Sequence, residues 1–128
     1  MFLSYATADA ASVQKIADAL TQAGHIVKLG RSSIDTVDGG GRLAATVFAL
    51  KHCDVVALLL SPNSVKSPAI ADELTLAEQT YKSVVPVFLD SVKLPPNIAR
   101  PLRYLAKIDC SESFSVGLTK LMAVVARR

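Results

Sequence analysis

The sequence predicts an α/β fold, a five-stranded parallel sheet with helices on both faces, in a single domain spanning residues 1–128. Three observations predict it. Short apolar runs alternate with stretches whose apolar residues recur at helical spacing, the pattern that builds a parallel sheet covered by helices. The run Val55 to Leu60 is apolar without a break, as a strand buried on both faces requires. And 128 residues suit one domain that buries its core without metals or disulfides.

Met1 to Ser4 reads as the first strand, and Thr7-Ala8-Asp9 supplies capping chemistry for the helix after it. Val13, Ile16, Ala17 and Leu20 form that helix's inner stripe, and Gly24 ends it. Ile26 to Leu29 is a second strand. A long polar loop, Gly30 to Gly41, follows, then a helix with Leu43, Val47 and Leu50 on one face. Asp54 to Leu60 is the third strand and Ser61-Pro62-Asn63-Ser64 a turn. Pro68 opens a helix whose core stripe reads Ile70, Leu74, Ala77 and Tyr81. Val84 to Leu89 is the fourth strand, where Pro86, lacking a backbone donor, predicts a bulge or an irregular edge. Residues 90 to 103 read as a Pro-rich connection and Tyr104 to Ile108 as the fifth strand. Phe114, Leu118, Leu121, Met122 and Val125 mark the last helix.

Composition excludes several classes of function. No apolar run approaches the roughly 18 residues that a spanning helix needs, and the chain enters a strand at once with no leader pattern. A cytoplasmic protein is expected. The net charge of +3 is scattered and Trp is absent, so neither a basic stripe nor a stacking platform for nucleic acid emerges. Cys53 and Cys110, like His25 and His52, lack partners at ligand spacing, so no metal site is expected and the cysteines read as small buried hydrophobes. Gly39-Gly40-Gly41-Arg42-Leu43-Ala44 matches the dinucleotide pattern but stands about ten residues beyond its strand, too far for its glycines to turn directly into a helix. Two isolated histidines support no Ser/His/Asp triad.

The expected strand order is 2-1-3-4-5, which reverses beside the first strand. Ligands bind in the crevice outside the carboxyl ends of the strands at such a reversal. The loops there carry Tyr5-Ala6-Thr7 and Ser61-Pro62-Asn63-Ser64, so Ser4, Tyr5, Ser61 and Asn63 are candidate substrate-binding residues. Tyr5 also reads as a packing residue closing the end of the sheet. Glu73 lies about one turn into the helix that starts at this edge, beside the Ile70/Leu74 stripe, and its carboxylate is placed to overhang the crevice. The plainer reading makes Glu73, like Asp72, a first-turn acid favoured by the helix dipole.

Five segments in order resemble bacterial TIR (Toll/interleukin-1 receptor) domains. They are Phe2-Leu3-Ser4-Tyr5; Cys53-Asp54-Val55-Val56 running into Leu60-Ser61-Pro62-Asn63-Ser64; Asp72-Glu73-Leu74; Val85-Pro86-Val87; and Leu94-Pro95-Pro96-Asn97. The resemblance implies a flavodoxin-like three-layer fold. It implies cleavage of NAD+, as substrate and not as cofactor, in signalling or defence, with Glu73 catalytic. It also implies self-association through the segment from Gly30 to Gly41, where Ile34, Asp35 and Val37 are the assembly residues. Two positions depart from the family's NAD+-cleaving pattern. Ala69 stands where many members carry a Trp that offers a stacking face to the substrate, and Gly30-Arg31 stands where many carry an acid. Ala69 and Arg31 are therefore substrate-binding candidates by position. The rival reading is a catalytically silent scaffold acting through TIR–TIR contacts. A phosphoacceptor receiver of the same architecture would need acids after the first strand to hold Mg2+, and Ser4-Tyr5-Ala6-Thr7 has none.

Overall fold

The computed structural model describes residues 1–30 and 50–126, the side chain of Ala69 excepted. Five parallel strands form one sheet in the order β2-β1-β3-β4-β5. They are β1 (Phe2–Ser4), β2 (Lys28–Leu29), β3 (Val55–Leu60), β4 (Ser83–Phe88) and β5 (Ile108–Asp109). Among the described residues the helices include α1 (Ala10–Gln22), α2 (Pro68–Gln79), α3 (Pro96–Leu102) and α4 (Phe114–Ala126). All six side chains of β3 are buried. Its odd-numbered residues, Val55, Ala57 and Leu59, join Val13, Ile16 and Leu20 of α1 and Leu121 and Val125 of α4. Its even-numbered residues meet the opposite layer: Leu58 and Leu60 pack with Ile70 and Leu74 of α2 and Ile98 and Leu102 of α3, while Val56 packs with Phe2, Leu50 and Ala77. The period-two alternation of a strand thus feeds two cores at once. The predicted architecture and strand order hold.

Four local expectations need correction. Asp9 occupies the N-cap position of α1 but makes no capping bond; its carboxylate is used elsewhere. Tyr81 is 94% exposed and belongs to no core. The helix ends before it: Lys82 N donates to Ala77 O and Tyr81 N to Glu78 O, a Schellman closure that puts Tyr81 at φ 58°. Gly24, at φ 94°, fills the same role after α1, as expected. The Pro-rich connection contains α3, in which Pro96 sits in the first turn, where a proline costs no hydrogen bond, and Ile98 and Leu102 are buried.

The fourth correction joins Pro86 to β5. Pro86 lies in regular register opposite Leu58, without a bulge. Ser83 N and Leu89 N donate to β3, at Asp54 O and Leu60 O, so the odd residues of β4 point to β3 and the even ones to β5. The donor that Pro86 lacks would therefore face β5. The β4–β5 ladder begins one residue later, at Val87↔Ile108. Tyr104 to Lys107, predicted as strand, stay outside it, and Tyr104 is 89% exposed.

Both cysteines are free and buried, as expected. Burial, with the charge of Asp109 beside it, pushes the Cys110 thiol above its ordinary value. A thiol raised in this way favours the fold while protonated. That contribution is complete below the unfolded thiol's pKa and is lost as pH rises through the folded one. Cys110 is expected to resist a disulfide reagent at pH 8 in the native protein and to react once denaturant unfolds it. Fast native labelling, read by mass spectrometry of the Cys110 peptide, would contradict this packing. Among the described residues no helix is long and apolar enough to cross a membrane.

Candidate functional site

The carboxyl ends of β1 and β2 and one face of α2 converge on Glu73. Pro68 starts α2, so Glu73 is its sixth residue, and no acid lies in its first turn. The helix-dipole explanation for Glu73 and Asp72 therefore does not apply. Glu73 follows Ile70 by three residues and precedes Ala77 by four, which turns it to the helix's buried side. It is 2% exposed, so the side chain lies within the sheet–helix junction rather than overhanging it.

The Ser4 hydroxyl, itself fully buried, donates to Glu73 Oε1 at 2.6 Å. Gly30, the residue after β2, donates its N–H to Leu3 O at 2.7 Å. A Cβ added at Gly30 would stand 2.8 Å from Leu3 O and 3.1 Å from Glu73 Oε2. Only a residue without a side chain lets the end of β2 lie this close to the β1 backbone, and with it beside the carboxylate. Gly30 is thus part of the site; from the sequence it was the start of a loop and, by resemblance, one of two residues standing where many members carry an acid, with no role of its own. A glycine directly after a strand, at the reversal of the sheet, was the available signal.

A second polar cluster lies beside the first. The Asp9 carboxylate accepts from Ser61 Oγ and, at 3.1 Å, from Asn63 Nδ2. Ser61 Oγ in turn accepts from the backbone N–H groups of Asn63 and Ser64, at 3.2 and 3.1 Å. Ser64 Oγ accepts from Ser61 N at 2.9 Å. Ser61 and Asn63 are therefore engaged in closing the β3–α2 turn onto the start of α1. Asp9, read from sequence as a helix cap, is the residue that links them.

A cleft of about 300 Å³ opens at the ends of β4 and β5, between Phe88, Asp90, Lys107 and Asp109. Its acids are held locally. Asp90 accepts from Ser91 N at 2.7 Å, and Asp109 accepts from Ser111 N and Oγ at 2.8 and 2.5 Å. The Ser111 bonds, with Lys120 nearby, hold the exposed Asp109 carboxyl below its ordinary value. Among the described residues no group of three or more His, Cys, Asp or Glu is placed to hold a metal ion.

The family model for the TIR domain matches residues 1–122. The chain belongs to the TIR family. The crystal structure of the TIR domain of the Toll-related receptor TRR-2, from the lower metazoan Hydra magnipapillata, superposes with a TM-score of 0.74. That likeness covers 99% of this chain and 98% of the other at 13% identity, and it shows a shared fold. Among curated proteins there is no significant match. In this TIR domain, then, Ser4, Gly30 and Glu73 come together, and Ser61 and Asn63 join Asp9 next to them. Tyr5 is half-buried and packs against the core that contains Leu3 and Val13. Arg31, Ile34, Asp35 and Val37 lie outside the described residues, as does the Ala69 side chain.

Proposed function

We propose that this TIR domain cleaves NAD+ at the bond between nicotinamide and ribose, with Glu73 as the catalytic residue, in bacterial signalling or defence. The observation that carries the reading is a carboxylate fixed at the reversal point of the sheet, where ligands of such folds bind, by a hydrogen bond from the end of β1. The nicotinamide of NAD+ is a cationic leaving group. As the C1′–N bond breaks, its electron pair returns to the ring nitrogen and neutral nicotinamide departs without a general acid. The ribose develops oxocarbenium character, as in glycoside hydrolysis. A nearby carboxylate stabilises that positive charge and holds ribose hydroxyls. Water then bonds to C1′ and loses a proton to give linear ADP-ribose, or an adenine nitrogen bonds to C1′ to give a cyclic product. The test is incubation with NAD+ at high protein concentration and chromatography of the products. Release of nicotinamide with an ADP-ribose product supports the reading, and intact NAD+ with the protein in its assembled state overturns it.

One observation favours a silent scaffold instead. Glu73 is almost fully enclosed, and a carboxylate must meet the sugar to act on it. The two readings share an expectation about assembly. Ile34 and Val37 are the large apolar residues of an otherwise polar, glycine-rich segment, and burying them against a second copy would build head-to-tail arrays. A small contact makes such association weak. Specific activity is expected to rise with protein concentration, and Ile34→Asp to suppress both the rise and the assembly without lowering the monomer's melting temperature. Constant specific activity from a protein that stays monomeric throughout, by light scattering, would sink activation by assembly.

A further inference from the structure

We propose that Ser4 is a positioning residue for Glu73, setting the orientation of its carboxylate rather than touching substrate. The inference rests on the reading of Glu73 as the catalytic carboxylate. Ser4 is the last residue of β1 and is paired to Leu58 of β3, while its neighbour Leu3 is paired to both Ala57 and Leu29. The backbone that carries the hydroxyl is thus held by ladders on both sides. Its Oγ is fully buried and already donates to Oε1 at 2.6 Å. A hydroxyl taken out of water is costly unless bonded, and alanine would occupy this place without that cost. A buried hydroxyl at this position is therefore explained by its bond and not by packing. Glu73 reaches the junction on a flexible side chain with three rotatable bonds, and a charge-assisted bond to a rigid strand removes that freedom. Gly30 completes the bracket from the other side. The end of β2 comes so close that a Cβ there would stand 3.1 Å from Oε2. One oxygen of the carboxylate is gripped from β1, and the other lies against the backbone that follows β2. Catalysis of this kind is sensitive to small misplacements of the stabilising group.

The test is a double-mutant cycle on turnover of NAD+ by the assembled protein, using Ser4→Ala, Glu73→Gln and the combination. A residue that acts through another shows its effect only while the other is present. Ser4→Ala is expected to lower kcat about tenfold, the scale of losing one hydrogen bond to a charged group, with KM within about twofold, because no substrate contact is lost. In the Glu73→Gln background the same change is expected to alter kcat by less than about twofold. Ser4→Thr, which restores a hydroxyl, is expected to recover most of the rate. A Ser4→Ala protein with normal kcat, a loss that appears in KM, or a loss that persists undiminished beside Glu73→Gln overturns the positioning role. Near-normal turnover of Glu73→Gln alone would instead overturn the catalytic reading, and the two failures are separate measurements.

Discussion

Glu73→Gln is expected to lower NAD+ cleavage at least about a hundredfold, the effect of deleting one electrostatic stabiliser of a developing charge. The substitution keeps the size of the side chain and keeps an oxygen that can accept from Ser4 Oγ. It removes the negative charge. The surrounding contacts of the Glu73/Ser4/Gly30 junction are then largely preserved, and the domain should remain folded by circular dichroism. Because Glu73 is 2% exposed, a larger or repelling replacement would confound activity with packing, and Gln is the variant that separates the two. Turnover is read as nicotinamide released per subunit at matched concentration. A mutant that turns over at the native rate removes Glu73 from the mechanism.

The largest effect on stability is expected at Gly117, on the far side of the molecule. A Cβ at this position would stand 2.4 Å from Cys110 Sγ, 2.6 Å from Asp109 O and 2.8 Å from Cys110 Cα. Two of these three atoms are backbone at the end of β5 and cannot swing aside. Gly117 is therefore the point at which α4 lies directly on the last strand. Gly117→Ala should cost about 2–3 kcal/mol through overpacking, even though alanine normally favours a helix interior over glycine by about 1 kcal/mol. A domain of this size would melt lower by very roughly 10 °C. An unchanged or raised melting temperature would show that α4 does not pack so closely. α4 is not among the elements that surround Glu73, so the folded fraction should keep its specific activity, in contrast to Glu73→Gln.

Some of this was written plainly in the chain. The unbroken run Val55 to Leu60 announced a central strand, and the stripe Val13, Ile16, Ala17, Leu20 announced α1, because burial on two faces or on one leaves a local pattern. Glu73 could be placed near the sheet reversal by counting along α2. Its enclosure could not be foreseen, since that depends on Ser4, 69 residues away in sequence. The Asp9–Ser61–Asn63 cluster was hidden for the same reason, its members being separated by 52 and 54 residues. Locally, Asp9 is indistinguishable from a cap. Tyr81 and α3 were misread for another reason. Periodicity carries an apolar stripe past a helix end that backbone closure sets, and prolines obscure a short helix whose Ile98 and Leu102 are its only buried anchors.

The Asp9 cluster bears on which part of the molecule can move. It ties the connection after β1 to the connection after β3, the two chain segments on either side of the reversal. Parting them would break the bonds from Ser61 and Asn63 together. On the other side of β1 the margin beside the enclosed carboxylate is held less firmly. There β2 has two paired residues, both exposed, on an edge. Hydrogen bonds at Met1 N, Lys28 N and Gly30 N join it to β1. Elements with so little buried surface open locally at low free-energy cost while the rest of the fold stays closed. Amide exchange should accordingly be fast at Lys28 and Gly30 and slow along β3. Turnover faster than the lifting of this margin would show that Glu73 is reached by another way.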